Sequence, residues 1–228
     1  MTIQDVYAFL DTRAPFATAE EWDNVGLLVG DGAQPVTGVV VALDATPGAL
    51  EAARALNANL LITHHPVIFS PLRRLTAEGM PYRLAAEGIG LIAAHTNLDK
   101  AAGGVNDALA ACLGLEEVTV AADGMTRIGT LPNPEEATVF AHRIAEALET
   151  PVRVSGDHRI QRVAVCGGAG GDFAAPLAGQ VDAFVTGGGQ KKPSLSRQHL
   201  QFHLILIRKI HNQRPAAHIP GLGIRHRG

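Results

Sequence analysis

Asn59-Leu60-Leu61-Ile62-Thr63-His64-His65-Pro66 is the stretch that decides the fold. A short apolar run stops at two imidazoles and a proline, which reads as a buried strand with its end in a loop. Upstream, Val36 to Leu43 (VTGVVVAL) is a β-branched run that closes on Asp44-Ala45-Thr46-Pro47. Thr46 is suited to cap a helix and Pro47 to occupy its first turn, so a helix is expected over Gly48 to Leu56. Downstream, a helix near Tyr82 to Glu87 precedes a third apolar strand, Gly90 to Ala94, which stops at His95-Thr96-Asn97-Leu98-Asp99. The order β-α-β-α-β implies a parallel sheet with right-handed crossovers.

Strands of such a sheet end along one edge, where open α/β sheets bind their ligands. Those ends carry Asp44, the His64-His65 pair, and His95 with Asp99. Neighbouring side chains of a regular strand face opposite ways, but at a strand end each histidine is able to reach one of two adjacent ions. The bland alternative for the pair is a solvent-facing dipeptide held by Pro66. Asp99 suits a bridge, because each carboxylate oxygen is able to bind one ion. His95 is read first as a residue that orients a ligand from behind, and Asp44 first as a turn residue before the Pro47 helix.

A second α/β stretch follows. Gly103-Gly104-Val105-Asn106 opens a helix over Asp107 to Leu113 that Gly114 ends. Arg127 to Leu131, Val152 to Ser155, Gln161 to Cys166 and Asp182 to Thr186 read as strands. Pro134 to Glu149 reads as an amphipathic helix, and a helix is expected near Phe173 to Leu177. The loop Gly167-Gly168-Ala169-Gly170-Gly171-Asp172 fits neither nucleotide-binding glycine pattern and reads as a tight turn. Cys112 and Cys166 lie far apart without CxxC spacing, which excludes a disulfide framework or a cysteine zinc knuckle. No apolar run approaches the roughly 18 residues of a membrane span, and MTIQDVYAFL lacks the basic and apolar regions of a signal peptide. A cytoplasmic protein without membrane partners is the expectation.

Glu20-Glu21-Trp22-Asp23-Asn24-Val25-Gly26-Leu27-Leu28-Val29-Gly30, Leu61-Ile62-Thr63-His64-His65-Pro66-Val67-Ile68-Phe69, and Ala94-His95-Thr96-Asn97-Leu98-Asp99 with Gly103-Gly104-Val105-Asn106 resemble the NIF-three-like dinuclear metal centre proteins. Many of those are labelled GTP cyclohydrolase I type 2 homologs. The resemblance runs to about Gly187 and includes Asp182-Ala183-Phe184-Val185-Thr186-Gly187. It implies a two-lobed α/β subunit: a metal-binding lobe over 1–121, with a mostly parallel sheet and its metal site at strand ends, and a smaller α/β lobe over 122–187. It further implies a ring-shaped homohexamer and two divalent ions, drawn from Zn, Mn, Fe or Ni. By position, His64, His65 and Asp99 correspond to the family's metal ligands, with His95 behind them.

The formal net charge of −3 hides a division in the chain. All 22 acidic residues lie at or before Asp182, whereas residues 188–228 carry 8 Lys and Arg and no acid. Gly188 stands where the family pattern has a glutamate, and the His-x-x-x-Glu pair that would complete the metal site is missing. The tail therefore reads as a frameshifted or disordered end in preference to a nucleic-acid arm, and nucleic acid is not expected as a partner. His199 and His203, at i and i+4 spacing, offer imidazoles without the carboxylate. Two functions follow as expectations. One is a metal-dependent hydrolase of a nucleotide-like or phosphorylated small molecule, and the other is a metal-binding hexameric scaffold or regulator without turnover.

Overall fold

The computed structural model of the chain describes residues 1–156, 158–187 and 203–207. It divides into two compact units that meet in sequence between Leu98 and Asp99.

The first unit begins with α1 (Ile3–Arg13), β1 (Gly26–Val29), β2 (Val39–Ala42) and α2 (Pro47–Ala55). It continues through β3 (Leu60–Thr63), α3 (Met80–Ala86), β4 (Gly90–Ala93) and the start of α4 (Thr96–Lys100). Its sheet has the order β1-β4-β3-β2. The three strands read from sequence run parallel, with Leu60 opposite both Val39 and Gly90, while β1 joins the outer side of β4 antiparallel. Thr46 caps α2 by accepting from the Ala49 N–H at 3.1 Å, and Pro47 takes the first turn, as the sequence requires.

Alternation along the strands loads both faces of this sheet. Leu61, Leu91 and Ala93 pack with Leu50, Ala53 and Leu84 of α2 and α3. Leu60 and Ile92 turn the other way, onto Ile3 and Val6 of α1 and onto Phe16. At the start of β4 the backbones close up: a Cβ on Gly90 would lie 2.6 Å from the Ile3 side chain, and one on Gly30 2.8 Å from the Gly90 Cα. Glycine is required there by space, and at Gly30 also by its φ of 103°.

In the second unit, α5 (Val105–Cys112), β5 (Glu116–Val120), β6 (Arg127–Glu136) and α6 (Ala137–Ala147) are followed by β7 (Val152–Ser155), β8 (Arg159–Cys166), β9 (Ala183–Thr186) and β10 (His203–Ile207). The sheet order is β5-β6-β8-β9-β10-β7. It is mixed, with β8, β9 and β10 parallel to one another and the other pairings antiparallel. One face buries Phe140 and Ile144 of α6 with Ala110 and Leu113 around Val163 and Val185; the other gathers Phe184, Ala164 and Ile128 with Leu177.

Several elements depart from the sequence reading. Ala110, Leu113 and Leu115 belong to the α6 core, so α5 groups with the second sheet. Residues Pro134 to Glu136 extend β6, so α6 begins at Ala137; Glu135 and Glu136 still pair with Ile160 and Arg159. Around Phe173 the chain forms two 3-10 turns, Gly170–Phe173 and Ala175–Leu177, in place of an α-helix. Residues 203–207, inside the basic tail, pair as β10 between β9 and β7. The remainder of the tail, His199 included, lies outside the described residues. Among the described residues, no helix is long and apolar enough to cross a membrane.

Candidate metal centre

Beyond the last residues of β3 and β4 the ladder continues for a short distance. The His64 and His65 N–H groups donate to the Ala42 and Leu43 carbonyls, and the Ala94 N–H to the Thr63 carbonyl. The buried Thr63 hydroxyl donates to the His65 carbonyl at 2.9 Å and bends the chain. Strand alternation therefore ends at Thr63, and the two adjacent imidazoles come to the same side, with ring centroids 5.0 Å apart. His95 enters from the end of β4, its ring 5.0 Å from that of His64 and 5.5 Å from that of His65. One ligand atom from each of the three rings lies within 4.8 Å of the others, a group that could hold a metal ion.

Each ring is fixed through Nδ1. The His64 Nδ1 lies 3.0 Å from the Ala94 carbonyl oxygen, the His65 Nδ1 2.7 Å from Asp44 Oδ1, and the His95 Nδ1 3.0 Å from Asp23 Oδ1. An imidazole whose Nδ1–H donates to a carbonyl or carboxylate presents Nε2 to a metal, and that outer acceptor sets both tautomer and ring orientation. Three rings, three oxygen acceptors and one convergence point make this donor set fit a divalent cation. Burial, reinforced by the His95 and His65 rings, pushes the His64 imidazole down to about 4, against the hydrogen bond to Ala94. His64 is therefore neutral at pH 7, the state a ligand requires.

Asp23 is the residue the sequence reading missed. It lies between α1 and β1 in a segment without periodicity, more than forty positions before His64. Its carboxylate is fully buried and accepts from the Thr96 N–H at 3.0 Å, the Thr96 hydroxyl at 2.6 Å and the Asn24 N–H at 2.9 Å, besides facing His95. Burial works to raise this carboxyl, but the hydrogen bonds from His95 and Thr96 outweigh it and hold the group below its ordinary range. One buried anion thus fixes both the His95 ring and the first residue of α4. Asn97 completes the turn, accepting from the His95 N–H at 2.9 Å and donating to the Ala14 carbonyl at 2.7 Å.

The other sequence candidates fall into place around this trio. Asp44 is half exposed and serves His65 from its turn before α2. His95, expected behind the ligands, stands in the trio itself. Asp99 follows four residues later on α4, half-buried, and is not one of the three converging residues.

Comparison with known proteins gives the chain's relatives. A Lactococcus lactis protein named GTP cyclohydrolase 1 type 2 homolog is 34% identical over 200 residues, covering 82% of this chain and 77% of its own. A Staphylococcus aureus protein of the same name is 46% identical over 123 residues, a stretch that spans 53% of this chain and 34% of that relative. The chain thus matches about a third of the length of that curated relative. Among solved structures, a Staphylococcus aureus hypothetical protein superposes with a TM-score of 0.84 at 32% identity, over 91% of this chain and 86% of that one. A family profile described as Duf34/NIF3 (NGG1p interacting factor 3) matches residues 1–213, beyond Gly187 where the sequence resemblance was drawn to a close. This chain belongs to the Duf34/NIF3 family.

Proposed function

We propose that this protein is a divalent-metal-dependent hydrolase of a nucleotide-like or phosphorylated small molecule. His64, His65 and His95 would be the imidazoles that hold a divalent ion, and Asp99 would be the carboxylate available to a second. The observation that carries this reading is the engagement of all three Nδ1 atoms by oxygen acceptors around one convergence point. Asp99 enters from its place in the chain, one turn of α4 beyond His95. Imidazole with carboxylate suits Zn, Mn, Fe or Ni. The chemistry such ions supply when bound is a water made nucleophilic near neutral pH and Lewis-acid polarisation of the attacked group.

The protein's own residues do the positioning. Asp23 and Asp44 hold the His95 and His65 rings in the tautomer that leaves Nε2 for the metal, and the Ala94 carbonyl does the same for His64. The name borne by the Lactococcus lactis and Staphylococcus aureus relatives supports a nucleotide-like substrate. Assembly into a homohexamer is part of the same proposal. It is supported by the edge strand β2 and the residue after it, which leave Val39, Val41 and Leu43 exposed.

The test is metal analysis of the purified protein, followed by a hydrolysis screen across nucleotides and phosphoesters with chelator and metal re-addition. Bound divalent ion lost in His64→Ala, together with metal-dependent turnover lost in His65→Ala, is the expected result. Absence of bound metal in the unmutated protein would overturn the reading. Metal without turnover on any substrate would replace the enzyme with a metal-binding scaffold.

A further inference from the structure

Beside the imidazole trio, two large aromatic side chains stand in water. Trp22 is 59% exposed and Phe69 54%, which is unusual for rings of this size in a folded chain. Their centroids lie 5.8 Å apart at an interplanar angle of 51°, and the Trp22 ring stands edge-on to His95 at 6.3 Å.

The backbone beneath them is held firmly. Next to Trp22, the buried Asp23 is tied to Thr96 and His95, and the Glu20 N–H donates to the Thr96 hydroxyl at 2.9 Å. Asn24 donates to the Ile68 carbonyl at 2.6 Å, which joins the Trp22 loop to the residue before Phe69. Exposed aromatics on mobile loops are ordinary surface. Exposed aromatics on loops pinned by partly buried hydrogen bonds, next to convergent ligand atoms, are a preorganised contact surface.

We infer that Trp22 and Phe69 form a stacking platform for a planar, nucleobase-like heterocycle of the ligand whose polar end is bound at the imidazole trio. The inference rests on the proposed metal site for that polar end and adds the ring-binding half. Every base has a π-face, so stacking on Trp22 selects for a flat ring without reading its edge, and Phe69, tilted against Trp22, widens the apolar surface that ring covers. A sugar phosphate lacking the ring would gain nothing from either residue.

Trp22 is the sole tryptophan of the chain, so its fluorescence reports this site alone. The metal-loaded full chain is titrated with GMP and with ribose 5-phosphate, which share the phosphate and sugar and differ in the base. Binding is followed by Trp22 fluorescence and by calorimetry. GMP is expected to quench Trp22 and to bind at least about fivefold more tightly than ribose 5-phosphate. In Trp22→Ala and in Phe69→Ala, read by calorimetry, that preference shrinks while ribose 5-phosphate affinity and metal content stay unchanged. Both side chains are exposed, so folding is expected to survive either substitution, and two variants guard against failure of one.

Equal affinity for the two probes, or a base preference that survives both substitutions, overturns the inference. Metal content on the same samples keeps the two readings apart. Bound metal without base preference sinks the stacking platform alone. A Trp22-dependent base preference in a protein that takes up no metal sinks the metal site alone.

Discussion

Replacing Asp23 with asparagine changes one atom and one charge, and the structure dictates which hydrogen bonds that change breaks. The carboxylate accepts four: from Thr96 N–H and Oγ1–H on Oδ2, and from Asn24 N–H and His95 Nδ1 on Oδ1. An amide has one acceptor oxygen. Turned to the Thr96 pair it keeps the start of α4, and its NH2 then meets the Asn24 N–H and the His95 ring. To accept from that NH2, His95 must deprotonate Nδ1 and carry its proton on Nε2, the nitrogen the metal needs.

The stability cost is about 2–3 kcal/mol, from losing charge-assisted bonds and facing one donor with another. The functional cost is larger in kind: loss of an outer acceptor behind a metal-binding histidine lowers affinity by about 10- to 100-fold. Denaturant unfolding of the metal-free protein measures the first, and competition for Zn²⁺ against a chromophoric chelator measures the second. The imidazole nitrogen NMR shifts of His95 report the tautomer. A variant with His95 protonated on Nε2 that binds Zn²⁺ as tightly as the unmutated chain would refute the reasoning. So would a loss of affinity no larger than that produced by an equally destabilising substitution remote from the site.

Four further outcomes are expected. The unfolded His64 titrates at its ordinary 6.5 while the folded ring resists protonation to about 4. Metal-free stability is therefore lost as pH falls through that window, by on the order of 2–3 kcal/mol for a ring not wholly buried, and His64→Gln should flatten the pH dependence of the urea midpoint. Asp44→Asn should weaken metal binding less than Asp23→Asn, because its carboxylate is 49% exposed and water replaces part of its effect; the same Zn²⁺ competition checks the order. Arg127 is buried, paired with Asp107, and donates to the Lys100, Ala101, Gly124 and Met125 carbonyls. Truncating it to Ala should cost about 2–4 kcal/mol in the unfolding of the second unit, since the buried guanidinium and its bonds are lost, while Asp107 keeps the Gly103 N–H and the Met125 carbonyl keeps the Asn106 amide. Burial and the Asp99 and Asp123 carboxylates push the Cys166 thiol up to about 12, while Cys112 is exposed. Iodoacetamide at pH 8 should therefore add one group to the native protein, on Cys112, as read by mass spectrometry.

What was legible in the sequence is what periodicity and strand ends encode. The runs ending at Leu43, Thr63 and Ala94 became three parallel strands, because short β-branched and apolar runs separated by helices leave little choice of structure or topology. The convergence of His64, His65 and His95 followed from that topology. β5 was not legible, since all five of its residues are exposed and Glu117 sits at a φ of 51°, so no alternation marks it. The start of α6 was misjudged because Glu135 and Glu136 are good helix formers that pairing with β8 holds in a strand. Thr63 escaped notice for a different reason: its hydroxyl bond to the His65 carbonyl defeats alternation at the one step where alternation would have separated the two rings.

Asp23 illustrates the deeper limit, and also why the site takes the form it does. Three neutral imidazoles bring no charge to a divalent cation, so a site built from them alone would bury two positive charges without compensation. Asp23 and Asp44 stand directly behind His95 and His65 and supply two negative charges through the rings. The buried one matters more, because its field is not diluted by water. Its own charge is retained against burial by Thr96 and His95. The residue that balances the proposed metal is thus recognisable only after the chain has folded, when an anion with no local sequence signal is found anchored to the first turn of α4 and to the ring that the metal would share.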